Sequence, residues 1–134
     1  MTVLITGATG QLGSLVVKHV LDRIPASDIA VSVRKPEKAA DLSAKGIDVR
    51  AGDFNDLALM TNAFKGIETA LIISAEDDNA TRIKQHRTAV DAAKAAGVKH
   101  IGYTGIGGPK ADADVTYAAI HLDTENYIRE SGLA

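Results

Sequence analysis

Five short apolar runs alternate with longer helix-period segments along this chain of 134 residues. The runs cover 2–6, 29–34, 47–51, 69–74 and 100–104. They are rich in Val and Ile and largely unbroken by polar residues, as parallel strands are when both faces are covered. The segments between them, about 11–23, 36–45, 56–65, 80–96 and 115–131, are expected to be helices. Strand–helix alternation of this kind builds a parallel sheet with right-handed crossovers. The expected fold is α/β, a Rossmann-like doubly wound sheet of five strands in the order 3-2-1-4-5 with helices on both faces.

The punctuation agrees with this division. Gly46, Gly66 and Gly97 each follow a helical segment and precede an apolar residue, where a left-handed Gly closes the last turn. Asn55 is placed to cap the third helix. The same signature recurs at Ser131-Gly132-Leu133, so a sixth strand is expected to begin there. Residues 1–134 therefore read as a single Rossmann-like domain that is C-terminally shortened. The alternative is a frayed end on a five-strand domain. The edge left by a missing strand would favour pairing between copies, which makes a homo-oligomer one expectation.

Composition narrows the function. Aromatic residues make up 4% of the chain and Trp is absent, so core volume comes from Ala, Val, Ile and Leu. The net charge of −2 leaves no basic footprint for nucleic acid, and no polybasic run addresses a membrane surface. Without Cys there is no disulfide, thiol catalysis or cysteine metal site. The N-terminus enters an apolar segment with no charged leader, and no apolar run approaches the roughly 18 residues of a membrane span. A cytoplasmic protein is expected.

The glycine turn Gly7-Ala8-Thr9-Gly10-Gln11-Leu12-Gly13 follows the first strand and opens the first helix. That context gives the spacing meaning. One Gly makes the tight turn, a second lets backbone approach a pyrophosphate, and a third packs the helix near the strand. The helix start presents unpaired N–H groups to the phosphates. Thr9 and Gln11 can add side-chain contacts, and Leu12 lies within the same turn. The competing reading is a strand–helix turn that is merely glycine-rich. The Gly-x-x-Gly-x-x-Gly spacing leans toward the short-chain dehydrogenases.

The end of the second strand bears on the nucleotide. An acidic residue roughly 20 positions after the glycines would mark NAD. Here Arg34-Lys35-Pro36-Glu37-Lys38 places cations where a 2′-phosphate would lie. Arg34 has a planar fork suited to phosphate, and Lys38 can reach back from the next helix. A solvated basic loop is the alternative. Asp53 is placed to accept from the adenine amino group, with Phe54 beside the ring. Ile73 and Ser74 end the fourth strand and would line the adenosine side. All these positions fall at the carboxyl ends of strands, where open parallel sheets bind ligands.

Taken together, residues 5–13, 33–39, 52–54 and 92–101 resemble the NmrA-like atypical short-chain dehydrogenases, with the bacterial NADPH:quinone oxidoreductases the nearest branch. The resemblance covers the whole chain. It implies NADP(H) binding and hydride transfer to a small-molecule acceptor such as a quinone. Members are about twice as long, so it also implies that the sixth strand and the substrate domain are missing here.

Catalytic residues are harder to name. Typical short-chain dehydrogenases carry Tyr-x-x-x-Lys on a helix, where the Lys lowers the Tyr pKa. This chain has Tyr117 and, four residues on, His121. His lowers a tyrosine pKa less reliably than Lys, and an ordinary helix face is the preferred reading of that pair. Tyr103 and Thr104 end the fifth strand, where the nicotinamide is expected, and Thr104 can bond its ring or ribose. Positioning the cofactor can suffice, since the cofactor carries the chemistry. Glu76-Asp77-Asp78 reads as a solvated run, and His19, His86 and His100 lack partners at metal-ligand spacing, so no metal is expected. Besides an NADPH-dependent quinone oxidoreductase, a non-catalytic NADP(H) redox sensor fits this sequence.

Overall fold

The computed structural model describes residues 2–105 and 118–134. The described residues include five strands: β1 (Val3–Thr6), β2 (Ile29–Val33), β3 (Asp48–Ala51), β4 (Thr69–Ile72) and β5 (His100–Tyr103). The helices are α1 (Gln11–Leu21), α2 (Ala40–Ala44), α3 (Leu57–Ala63), α4 (Asn79–Ala96) and α5 (Ala118–Ser131). The sheet is wholly parallel with the order β3-β2-β1-β4-β5. This is the topology expected from the alternation.

Strand alternation divides the core in two. Leu4, Ala30 and Ala70 pack with Met60 and Phe64 on α3 and Ala92 and Ala93 on α4. Ile72 joins Ala89 and Val90, with Tyr127 and Ile128 of α5 against them. The opposite face sets Ile5, Val31 and Val33 against Val17 of α1 and Leu42 of α2. Side chains on both faces of the central strands are thus removed from water, the main favourable term in the fold.

Several boundaries differ from the sequence expectation. Residues 36–45 do not form one helix. Pro36–Ala39 is a 3-10 turn, and only Ala40–Ala44 is α-helical. Asp56, not Asn55, caps α3, its carboxylate accepting from Leu59 N at 2.9 Å. Asn55 lies one residue too early, and its own N–H goes to Asp53 Oδ1. The glycine punctuation holds: α4 ends on Gly97 at φ +83°, and Gly46, Gly66 and Gly132 are also left-handed. Beyond Gly132, Ala134 N donates to Lys99 O and Ile101 N donates to Ala134 O. The backbone there pairs beside β5 in the parallel sense, where the sixth strand was expected to begin.

Candidate functional site

The carboxyl ends of β1, β2 and β4 and the loop leaving β3 border one cleft of about 740 Å³. Gly7, Thr9, Gly10, Gln11, Leu12 and Gly13 form one wall. Arg34, Asp53 and Phe54 lie toward the β2–β3 end, and Ile73 and Ser74 border it from β4. An adjoining recess of about 520 Å³ is lined by Thr9, Arg34, Lys35, Lys38 and Asp53. The structure thus gathers residues that lie far apart in the chain.

The three glycines of the turn differ in why they are needed. Gly7 has φ +60°, a conformation unfavourable to a side chain. At Gly13 a methyl group would overlap the carbonyl of Gly7 and crowd Ala8 Cα at 2.9 Å. Helix α1 therefore rests directly on the turn. Gly10 has ordinary backbone angles, φ −78° and ψ 177°, and an added Cβ would meet only Gly7 O, at 3.4 Å. Among the described residues, no close contact demands Gly at position 10. The N–H groups of Gln11, Leu12 and Gly13 have no acceptor among the described residues. The first turn of a helix leaves such donors free for a ligand.

The β2 and β3 ends supply the second half. Gly52 N continues the ladder to Val33 O at 3.0 Å. A methyl group on Gly52 would overlap the Ser32 hydroxyl and crowd Met60 Sδ at 3.0 Å, so a side chain there would displace these buried neighbours where the chain passes into Asp53 and Phe54. One Asp53 oxygen is engaged by Asn55 N at 2.8 Å. Arg34, Lys35 and Lys38 are exposed, and none is in an ion pair among the described residues. Their shared recess contains one carboxylate, Asp53, against three cations. It is electropositive and open, suited to an anion larger than a lone carboxylate.

The β4 side is built differently. Ile73 N donates to Thr6 Oγ1 at 2.9 Å, Ser74 N to Thr104 Oγ1 at 2.8 Å, and Ala75 N to His86 Nε2 at 2.9 Å. With these donors used, this wall offers mainly acceptors, which suit hydroxyls rather than phosphates.

Two residues expected near the nicotinamide, Tyr103 and Thr104, do not line the cleft. Tyr103 shares the α4–α5 face of the sheet, two residues from Ile101, and its hydroxyl lies 2.6 Å from His121 Nδ1. Period-2 alternation turns it away from the cleft. Thr104 bonds Ser74 rather than lining the space. His121 is buried beside Tyr103, and Tyr117 lies outside the described residues. No Tyr, His or Lys among the described residues lines the main cleft.

Of two α4 residues beside the site, sequence reasoning missed Gln85 and read His86 as a surface or packing residue. Gln85 borders the cleft and holds Asn55 Oδ1 at 3.3 Å. His86 is fully buried, at 0% exposure. With Ala89, Val90 and Ala93 it lies at i, i+3, i+4 and i+7, a spacing that marks the inner stripe of a helix. The acidic run is local structure: Asp78 caps α4 through Thr81, whose hydrogen bonds hold its carboxyl below the usual range. Among the described residues no group of three His, Asp or Glu could hold a metal, and no helix is long and apolar enough to cross a membrane.

Burial pushes the His86 imidazole down to about 4, with the Arg82 and His121 charges acting in the same direction. Below pH 6.5 the unfolded chain takes up a proton that the folded chain refuses. Stability should therefore be full above pH 6.5 and fall as pH drops toward 4, by up to about 3 kcal/mol from this group. Urea unfolding at pH 7 and pH 4.5 checks this. His86→Gln, with no ring to titrate, should show a clearly smaller loss.

Residues 1–134 match the pattern of the NmrA-like family. Quinone oxidoreductase 2 of Escherichia coli is 43% identical over 132 residues, covering 96% of this chain and 44% of that protein. An NmrA-like family domain-containing oxidoreductase of Aspergillus flavus is 37% identical, covering 99% of this chain and 45% of its own. The structure of Citrobacter sp. triphenylmethane reductase complexed with NADP(H) is similar with a TM-score of 0.96 at 42% identity, over 99% of this chain and 47% of that one. An Escherichia coli NADPH-dependent quinone oxidoreductase complexed with NADPH gives 0.92 at 42% identity, over 98% and 46%. The chain spans less than half the length of these relatives. By the full-length pattern match and these identities, the chain belongs to the NmrA-like family.

Proposed function

We propose that this chain binds NADP(H) in the cleft and serves hydride transfer to a conjugated small-molecule acceptor of the quinone type. The observation that carries the reading is the continuity of the glycine-turn cleft with the Arg34–Lys35–Lys38 recess. The free N–H groups of Gln11, Leu12 and Gly13 would receive the pyrophosphate, and Thr9 would flank it. Arg34 and Lys38 would hold the 2′-phosphate. Asp53 and Phe54 would receive the adenine, and the Ile73–Ser74 wall would meet the ribose. Reduced nicotinamide supplies the hydride when bound. Among the relatives are an NADPH-dependent quinone oxidoreductase and a triphenylmethane reductase complexed with NADP(H), which supports both cofactor and acceptor class.

The absence of Tyr, His and Lys from the main cleft's described lining bears on mechanism. It favours transfer governed by placement of the cofactor rather than by a tyrosine–lysine pair. The same observation suits a second reading, a non-catalytic NADP(H) sensor. NADPH oxidation with a quinone would select the first. A partner protein whose affinity changes between NADP⁺ and NADPH would select the second.

Gly10→Val tests the cofactor site itself. An added Cβ makes only ordinary contact there, so the loss of stability should be the roughly 1 kcal/mol that a poorer N-cap residue costs. The bulk would occupy the pyrophosphate's approach, so NADPH affinity should fall at least about tenfold. Unchanged affinity would place the nucleotide elsewhere.

A further inference from the structure

Three consecutive N–H groups leave the end of β4, and side chains from three elements take them. Thr6 and Thr104 accept from Ile73 and Ser74 through hydroxyls, which can accept in any rotor position. His86 accepts from Ala75 through Nε2, and a ring nitrogen accepts only when it carries no proton. The ring must therefore be neutral with its proton on Nδ1. Its other contacts fit that assignment. Nδ1 lies 2.9 Å from Thr124 Oγ1, and that hydroxyl donates to Ile120 O at 3.1 Å, leaving a lone pair for the ring. The Tyr103 hydroxyl, 3.4 Å from the same Nδ1, is 2.6 Å from His121 Nδ1 and can direct its proton there. Thr124 is 1% exposed, so bulk water does not compete for its hydroxyl.

We propose that His86 is a positioning residue of the nucleotide cleft: neutral, with its proton on Nδ1, it fixes the cleft wall at Ala75 and ties that wall to α5 through Thr124. The proposal rests on reading the cleft as the NADP(H) site. Ala75 itself borders the cleft, so a shift of its backbone moves the surface that would meet the nucleotide. Charged and titratable groups face the ring from each neighbouring element. Arg82 on α4 and His121 on α5 oppose protonation, Asp123 on α5 favours it, and Tyr103 on β5 stacks edge-on at 5.4 Å between ring centres. A proton on Nε2 would point at the Ala75 N–H and break the bond.

Three variants separate this role from simple packing. In His86→Gln the side-chain oxygen reaches the Nε2 position and keeps an acceptor for Ala75. In His86→Asn the shorter amide reaches only the Nδ1 position and keeps Thr124 alone. His86→Leu keeps neither. NADPH affinity should stay within about threefold of wild type for Gln, and should fall about tenfold or more for Asn and Leu. Amide exchange at Ala75 should remain slow in wild type and Gln and become fast in Asn. Nitrogen NMR of the nucleotide-free wild type should show His86 protonated on Nδ1 and bare at Nε2. A proton on Nε2, or Asn and Leu variants that bind NADPH as wild type does, would overturn the proposal. If Asn and Leu fail to fold, the wild-type spectrum and Ala75 exchange in the Gln variant decide it. If wild type binds no NADPH, the cofactor reading fails, and the spectrum still decides the role of His86 at Ala75.

Discussion

Gly13→Ala should lower both stability and nucleotide binding. The added methyl group would overlap the Gly7 carbonyl, and the crowded neighbours are backbone atoms with no rotamer to change. Either α1 lifts from the sheet or the turn distorts. Overpacking of this kind costs about 2–3 kcal/mol, which for a domain of this size corresponds to roughly 10 °C in Tm. The turn whose N–H groups face the cleft would move with it, so NADPH affinity should fall more than about tenfold. Thermal unfolding and a fluorescence titration check the two effects. A variant that melts and binds as wild type would show that α1 does not rest on the turn as described.

Arg34→Ala should separate the two cofactors. Arg34 is exposed and in no ion pair among the described residues, so its loss should leave the fold intact. Its guanidinium would bond only the 2′-phosphate, and charge-assisted bonds of that kind are the stronger class. NADPH affinity should fall about tenfold to a hundredfold, while NADH affinity should change by less than about threefold. Lys38→Ala, at the rim of the same recess, should show the smaller effect of a point charge without a bidentate fork. Parallel losses for both cofactors would mean that Arg34 supports the cleft generally and does not read the phosphate.

Much of this was visible in residue order because the determinants are local. Val- and Ile-rich runs, helix-ending glycines and the turn at 7–13 each act within a few positions, and parallel topology follows from their alternation. The cleft residues were legible for a related reason: in a doubly wound sheet the carboxyl end of every strand reaches the same side. What escaped notice depends on phase or partners. Asp56 caps α3 instead of Asn55 because a single-residue shift decides which side chain meets Leu59 N. Tyr103 was expected at the cofactor, yet counting in twos from Ile101 would have set it against α4 and α5. His86 lay on a readable helical stripe, but its bond to Ala75 joins segments 11 residues apart and needs the folded loop. Gln85 and its Asn55 partner, 30 residues apart, left no local signal.

The central claim is that the cleft and its basic recess together hold NADP(H). Titration of the wild-type chain with NADPH and with NADH, at equal ionic strength, tests it most directly. Saturable NADPH binding at least about tenfold tighter than NADH binding is the predicted result. No binding of either nucleotide, or equal affinity for both, would contradict it.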